Sequence, residues 1–392
     1  MQKKPFSISR RMSAVQDPII PVVSTLIQQT PDTLSLGQGI VYYPPPDSVI
    51  QYVNKLNASA DYHFYSDVEG LAALRSAITE KLQRENNIKL ERQQLVVSAG
   101  ANMAFMNAIL AILDPGDEVI LLKPFYFNHE MAIKMVNAEP VPVATDAEFQ
   151  PDLERIQAAI TGKTRAIVTV SPNNPTGAVY SAEILTEINQ LCEQYGLYHI
   201  SDEAYEYFTY DDAEHFSPAS LKGSNQHTIA IYSLSKAYGY ASWRIGYMLV
   251  PEHLLMAIKK VQDTYLICPA RIAQEGAMLA LKEGQHYCQQ HLEHIAAART
   301  SLYNALKQID DICYTAKTKG AFYFLLRLET QLSGMQLVEQ LIKNYKVAGI
   351  PGETFGMEKG CYLRVAYAAL TKPRMQQAIS RLLDGLNGAI RK

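Results

Sequence analysis

The sequence predicts an α/β protein: a large domain with a mostly parallel sheet between helices, and a smaller α+β domain formed by both termini. Two observations carry that expectation. From Gln94 to Val250, short apolar runs alternate with longer segments of helical periodicity, the pattern of βαβ units. The short runs are apolar almost throughout, as strands covered on both faces must be. At 392 residues the chain has room for two cores, at roughly 100–200 residues per domain.

Residues 1–45 hold prolines at 5, 18, 21 and 31 and read as an arm plus part of the smaller domain. Pro44-Pro45-Pro46-Asp47 is a stiff extended stop. Residues 46–309 are assigned to the large domain, where helical periodicity covers Ser48–Leu56 and Leu71–Arg84. Expected strands are Leu95–Ser98, Glu118–Leu122, Pro140–Val143, Ala166–Val170, Tyr198–Ile200, Thr228–Tyr232 and Ile245–Val250. Between them lie expected helices from Ala101, near Asn128–Val136, near Asp152–Ile160 and over Ser181–Tyr195. Residues 252–309 are strongly helical. Residues 310–392 return to short strands (Ala321–Leu326, Tyr362–Ala366) and two amphipathic helices (Met335–Asn344, Pro373–Leu386), and form the small C-terminal domain.

Composition narrows the function classes. A hydrophobic content of 48% with 19% charged residues is that of an ordinary globular chain. A net charge of −3 gives no basis for nucleic acid or an anionic membrane as partner. The five cysteines are scattered without a C-x-x-C, which argues against a disulfide framework or a metal site and for a reducing, cytoplasmic compartment. The start, MQKKPFSISRRM, has no apolar stretch behind it and does not read as a secretory signal. No run reaches the ~18 apolar residues of a membrane span.

The chemistry concentrates in IYSLSKAYGYASWRIGY, residues 231–247. A lysine at the end of a buried strand is awkward, and desolvation lowers its pKa and makes it nucleophilic. Ser233, Ser235 and Arg244 supply hydroxyls and a planar fork, ligands suited to phosphate. An amine beside phosphate ligands fits a phosphorylated aldehyde held as a Schiff base on Lys236, and pyridoxal phosphate (PLP) is the candidate cofactor. Other strand ends agree, since open α/β sheets bind ligands there. Gly100-Ala101-Asn102 opens a helix whose N-terminus favours phosphate. Tyr126 lies in an aromatic cluster where a flat ring could stack. SPNNPTG, with Asn174, forms a tight turn after Val170, and its Asn-Pro bond is of a kind that can be cis. Asp202 at a buried strand end calls for a cation, and a protonated pyridine nitrogen is one.

SPNNPTG, SDEAYE and SLSKAYGYASWRIGY, in that order, resemble the signature segments of the class I/II aminotransferases, PLP enzymes of fold type I. The resemblance runs from about Leu36 to Ala366 and implies a seven-stranded sheet. It implies that Lys236 is the lysine bound to the cofactor and Asp202 the pyridinium partner, with His129 behind it. Tyr205 and Asn174 would face the phenolic oxygen, and Tyr126 would stack on the ring. Gly100, Ala101, Asn102, Ser233, Ser235 and Arg244 would hold the phosphate. Tyr65, five residues before Gly70, would reach the phosphate of a partner subunit, which implies a homodimer. FGMEKGCYLRV resembles the segment whose arginine, here Arg364, grips the substrate carboxylate; Asn174 and the Gly39 backbone would serve the same group. Lys236, Asp202 and Tyr205 would carry catalysis.

The implied reaction moves an amino group between an L-amino acid and a 2-oxo acid. The alternative on the same residues is a C–S β-lyase or an eliminase like aminocyclopropane-carboxylate synthase. Where the family commonly follows the glycine matching Gly39 with Pro-Asp and an aromatic, this chain has Ile40-Val41-Tyr42-Tyr43, in a segment that lines the substrate side-chain pocket. The stretch 262–268 lacks the arginine of one aspartate-specific subgroup. Neutral or aromatic donors with an acceptor such as 2-oxoglutarate are therefore expected at least as much as dicarboxylates.

Overall fold

The computed structural model describes residues 6–55, 63–91 and 93–391. Residues 1–5 of the expected arm and Leu56, at the expected end of the helix from Ser48, lie outside them.

The strands, in chain order, are β1 (Leu34–Ser35), β2 (Gln93–Ser98), β3 (Glu118–Lys123), β4 (Glu139–Ala144), β5 (Thr164–Val170), β6 (Tyr198–Asp202), β7 (Thr228–Ser233), β8 (Gly246–Pro251), β9 (Cys313–Tyr314), β10 (Tyr323–Leu328), β11 (Val347–Ala348), β12 (Ile350–Pro351) and β13 (Cys361–Ala366). Seven of them form one sheet in the order β2-β8-β7-β6-β5-β3-β4. Strand β8 runs antiparallel to both neighbours and the remaining pairs are parallel. This is the mostly parallel, seven-stranded sheet that the sequence implies.

Alternate side chains of each strand enter separate cores. Val119 and Leu121 pack with Phe105, Ile109 and Ile133 on one face, under helices Ala101–Ile112 and Phe127–Met135. Ile120 and Leu122 pack with Ile156, Leu185 and Ile188 on the other, under helices Leu153–Ala158 and Ala182–Tyr195. The two-residue side-chain period of a strand produces this division, and each fully buried Leu or Ile contributes roughly 1.5–3 kcal/mol. Ser181 caps the second of these helices by accepting from the N–H of Ile184, and Gly196 ends it at φ 65°.

Beyond this sheet, β13 pairs antiparallel with β10 and β12, and β10 with β9. The N-terminal segment joins the same region: β1 pairs parallel with β11, with Leu34 opposite Val347. The N–H of Ala366 donates to the carbonyl of Leu36 at 2.6 Å. Helix Gly334–Tyr345 starts with a reciprocal cap between Ser333 and Gln336.

Two helices, Arg10–Ala14 and Ile19–Gln29, lie in the stretch expected to form an arm plus part of the smaller domain, where the sequence reading named no helix. Pro18 and Pro21 do not oppose the second one, because Pro18 is its N-cap and Pro21 lies in its first turn, where no backbone donor is required. Among the described residues, no helix is long and apolar enough to cross a membrane.

Candidate active site

Six strands of the large sheet end on one edge. Strand β8, running the opposite way, starts there, so the turn from Ser233 to Ile245 leaves that edge and returns to it. One reversed strand therefore puts Lys236, Ser235 and Arg244 in the same place. A cavity at this edge is lined by Ala101, Asn102, Tyr126, Asn174, Asp202, Tyr205, Ser233, Ser235, Lys236 and Arg244, among others. All ten are expected site residues, brought from positions more than 140 apart in sequence. Gly100 backs the cavity, Gly39 and Arg364 adjoin it through their contacts, and Tyr65 is not part of it.

The Lys236 amine is partly buried and donates to the carbonyl of Gly39 at 2.6 Å. Desolvation lowers its pKa to about 8, with help from the Arg244 and Arg364 charges and against the pull of Asp202. An amine so placed is partly neutral near physiological pH. Tyr43 supports the turn from behind, its hydroxyl 3.2 Å from the carbonyls of Lys236 and Ala237.

Asp202, the last residue of β6, is buried. Its Oδ2 lies 3.1 Å from His129 Nε2, and its Oδ1 accepts from the N–H of Ala204 at 3.1 Å. The His129 ring stacks on Phe105 at 3.9 Å, which fixes its orientation.

A cradle forms where the Gly100 turn meets Arg244. Gly100 has φ 85°, and a Cβ there would stand 2.2 Å from Arg244 Nη2, so only glycine lets the guanidinium lie against the turn. Arg244 itself has φ 57°, and donates to Ser235 Oγ at 3.3 Å. Ser233 Oγ accepts from the N–H of Ser235 and caps the short helix Leu234–Ala237. The peptide bonds before Pro124, Pro172 and Pro175 are cis.

Arg364 is buried on β13 with its guanidinium 4.6 Å from the Tyr323 ring centre and 5.0 Å from that of Phe355. It donates to Asn174 Oδ1 at 2.9 Å and to the carbonyl of Gly37 at 2.6 Å, while its buried Nε has no hydrogen-bond partner. No carboxylate pairs with it among the described residues. A buried, unpaired guanidinium is a site for an anion.

Sequence reasoning missed Gly37 and Tyr323, and did not foresee that Tyr43 would support the lysine turn. Tyr323 sits inside AFYFLLRL, where it looks like any core aromatic, and no local signal distinguishes it. Tyr42 and Tyr43, in the segment expected to line the substrate pocket, contact the helix Gln285–Leu306: Tyr42 meets His291 and His294, and Tyr43 stacks on His291 at 3.8 Å.

The donor set fits PLP. An amine of lowered pKa, a buried carboxylate, an aromatic ring and a cradle that a Cβ would fill all face one space.

Comparison with known proteins follows this geometry. The family described as aminotransferase class I and II matches residues 31–382. An aromatic aminotransferase of Arabidopsis thaliana is 32% identical over 97% of this chain and 96% of its own length. The aspartate aminotransferase of Pyrococcus abyssi is 30% identical over 96% and 97%. The structure of the aspartate aminotransferase of Thermus thermophilus with maleate superposes with a TM-score of 0.88 at 30% identity, covering 97% of this chain and 100% of that one.

Proposed function

The chain belongs to the class I and II aminotransferases, and from that membership we propose how its own residues transfer an amino group between an L-amino acid and a 2-oxo acid, with PLP as cofactor. It is a transaminase; its relatives carry aminotransferase names, and the lyase alternative is not favoured. The observation that carries the residue assignments is the Lys236 amine sharing one cavity with the buried Asp202 carboxylate.

When bound, PLP supplies a carbonyl that exchanges amino groups and a ring that withdraws electrons from the substrate Cα. Asp202, held by His129 and the Ala204 N–H, would face the ring nitrogen and favour its protonated form. Tyr205 and Asn174 bind the phenolic oxygen, and Tyr126 covers the ring. Gly100, Ala101, Asn102, Ser233, Ser235 and Arg244 bind the phosphate, and Tyr65 of a partner subunit completes that site in a homodimer. Tyr65 is 77% exposed and Phe64 65% exposed, which suits a surface covered by a second copy. Arg364 would take the substrate carboxylate and so orient the substrate in the site. Lys236, whose amine desolvation shifts toward the neutral form, would serve as the general base for the Cα proton.

Neutral or aromatic donors with 2-oxoglutarate are the proposed substrates, because residues 262–268 carry no arginine for a second carboxylate. The reducing, cytoplasmic compartment is supported by five free cysteines, four of them buried. A panel of amino donors against 2-oxoglutarate tests the function. Glutamate formed with aromatic or neutral donors supports it, and none with any donor contradicts it.

A further inference from the structure

We propose that Tyr323 is a positioning residue that fixes the direction in which Tyr205 donates its proton. The proposal rests on the reading of the cavity as a PLP site. Tyr323 is fully buried on β10, and its hydroxyl is 2.8 Å from that of Tyr205. It also abuts Gly39, where a Cβ would stand 2.4 Å from the Tyr323 oxygen.

Donor counting sets the direction. Arginine only donates, so Asn174 must turn its Oδ1 to Arg364, at 2.9 Å. Its Nδ2 is then left to donate to the Tyr205 oxygen, at 3.2 Å. Tyr205 and Tyr323 share one hydrogen bond, and one of them must give the proton. Among the described residues, Tyr205 is the only hydrogen-bond partner of the Tyr323 hydroxyl. Were Tyr205 the donor, the Tyr323 proton would be buried without an acceptor, which is costly. With Tyr323 as donor, the Tyr205 oxygen accepts twice and its own proton points into the cavity that it lines. The chain Arg364 to Asn174 to Tyr205, joined by Tyr323, is thus satisfied in one direction only. The Tyr323 ring also carries the Arg364 guanidinium at 4.6 Å, so a single side chain braces the carboxylate grip and the phenol.

The test is a pH titration of the visible absorption band of the PLP-loaded protein. A phenol that accepts a second hydrogen bond donates more strongly, and donation to the cofactor's phenolic oxygen favours the deprotonated form. Tyr323→Phe should therefore raise the apparent pKa of the band by about half a unit, the worth of a modest hydrogen bond. In a Tyr205→Phe background the same substitution should add nothing. 3-Fluorotyrosine at position 323, nearly the same size and a better donor, should lower the pKa, and it serves if the phenylalanine variant does not fold. An unchanged pKa in both single variants, or an equal shift with Tyr205 absent, overturns the role of Tyr323. A wild-type protein with no visible band overturns the PLP reading beneath it.

Discussion

Arg364 on β13 donates to Asn174 Oδ1 at 2.9 Å, across 190 residues of sequence. The bond fixes which end of the amide faces the guanidinium and which faces Tyr205 at 3.2 Å. The guanidinium proposed to grip the substrate and the phenol proposed to face the cofactor are therefore joined through one amide.

Arg364→Ala is expected to remove the carboxylate anchor. Losing one partner of a desolvated charge pair costs about 2–5 kcal/mol, or roughly thirty- to several-thousand-fold in kcat/KM at 1.4 kcal/mol per factor of ten. Steady-state kinetics with varied donor check it. An unchanged donor KM would remove Arg364 from the site.

The Lys236 amine makes the apoprotein's stability depend on pH. Its pKa falls from the ordinary 10.5 to about 8 in the folded chain through desolvation first. Between those values the unfolded chain binds a proton that the folded one does not, so stability from this group rises with pH across that window and is lowest below it. Wild-type apoprotein should gain thermal stability relative to Lys236→Met as the pH is raised from 7 to 9.5. Parallel melting curves that show no relative gain would mean that the amine is solvated.

Beneath the loop bearing Tyr205, Lys81 is buried and paired to Glu206 at 2.5 Å, with Asn86 at 2.8 Å. Lys81→Met leaves the Glu206 carboxylate unpaired and should cost about 3–5 kcal/mol of stability. Lys81→Met with Glu206→Met should recover much of that loss. Chemical denaturation of both variants checks it, and a near-neutral single variant would contradict it.

Tyr65 is exposed and is not among the residues that line the cavity, so its proposed role needs a partner. Tyr65→Ala and Lys236→Ala should each give weak or inactive homodimers. Mixed dimers should regain activity, because one of their two sites then has both the native lysine and the native tyrosine. Failure of complementation in a purified mixed dimer would remove Tyr65 from the partner's site.

Much of this organisation is legible in the sequence because it is local. The apolar runs that become β2 to β8 are short, uninterrupted and bounded by turns, and Lys236, Asp202 and Asn174 stand at or just past strand ends. What escapes is set by pairings distant along the chain. The register that places Leu325 of β10 opposite Arg364 puts Tyr323 beneath the guanidinium, and nothing in AFYFLLRL records it. The pairing of Leu34 with Val347 is equally silent in the chain. The helix over residues 19–29 was hidden by prolines that its first turn tolerates.

The central claim is that the residue 236 amine is the one that holds the cofactor. Incubation with PLP, reduction with borohydride to fix the cofactor on its amine, and mass spectrometry of the digested peptides test it most directly. A single phosphopyridoxyl group, confined to Lys236, is the expected result. A stable adduct on another lysine, or none while the protein still transaminates, would contradict it.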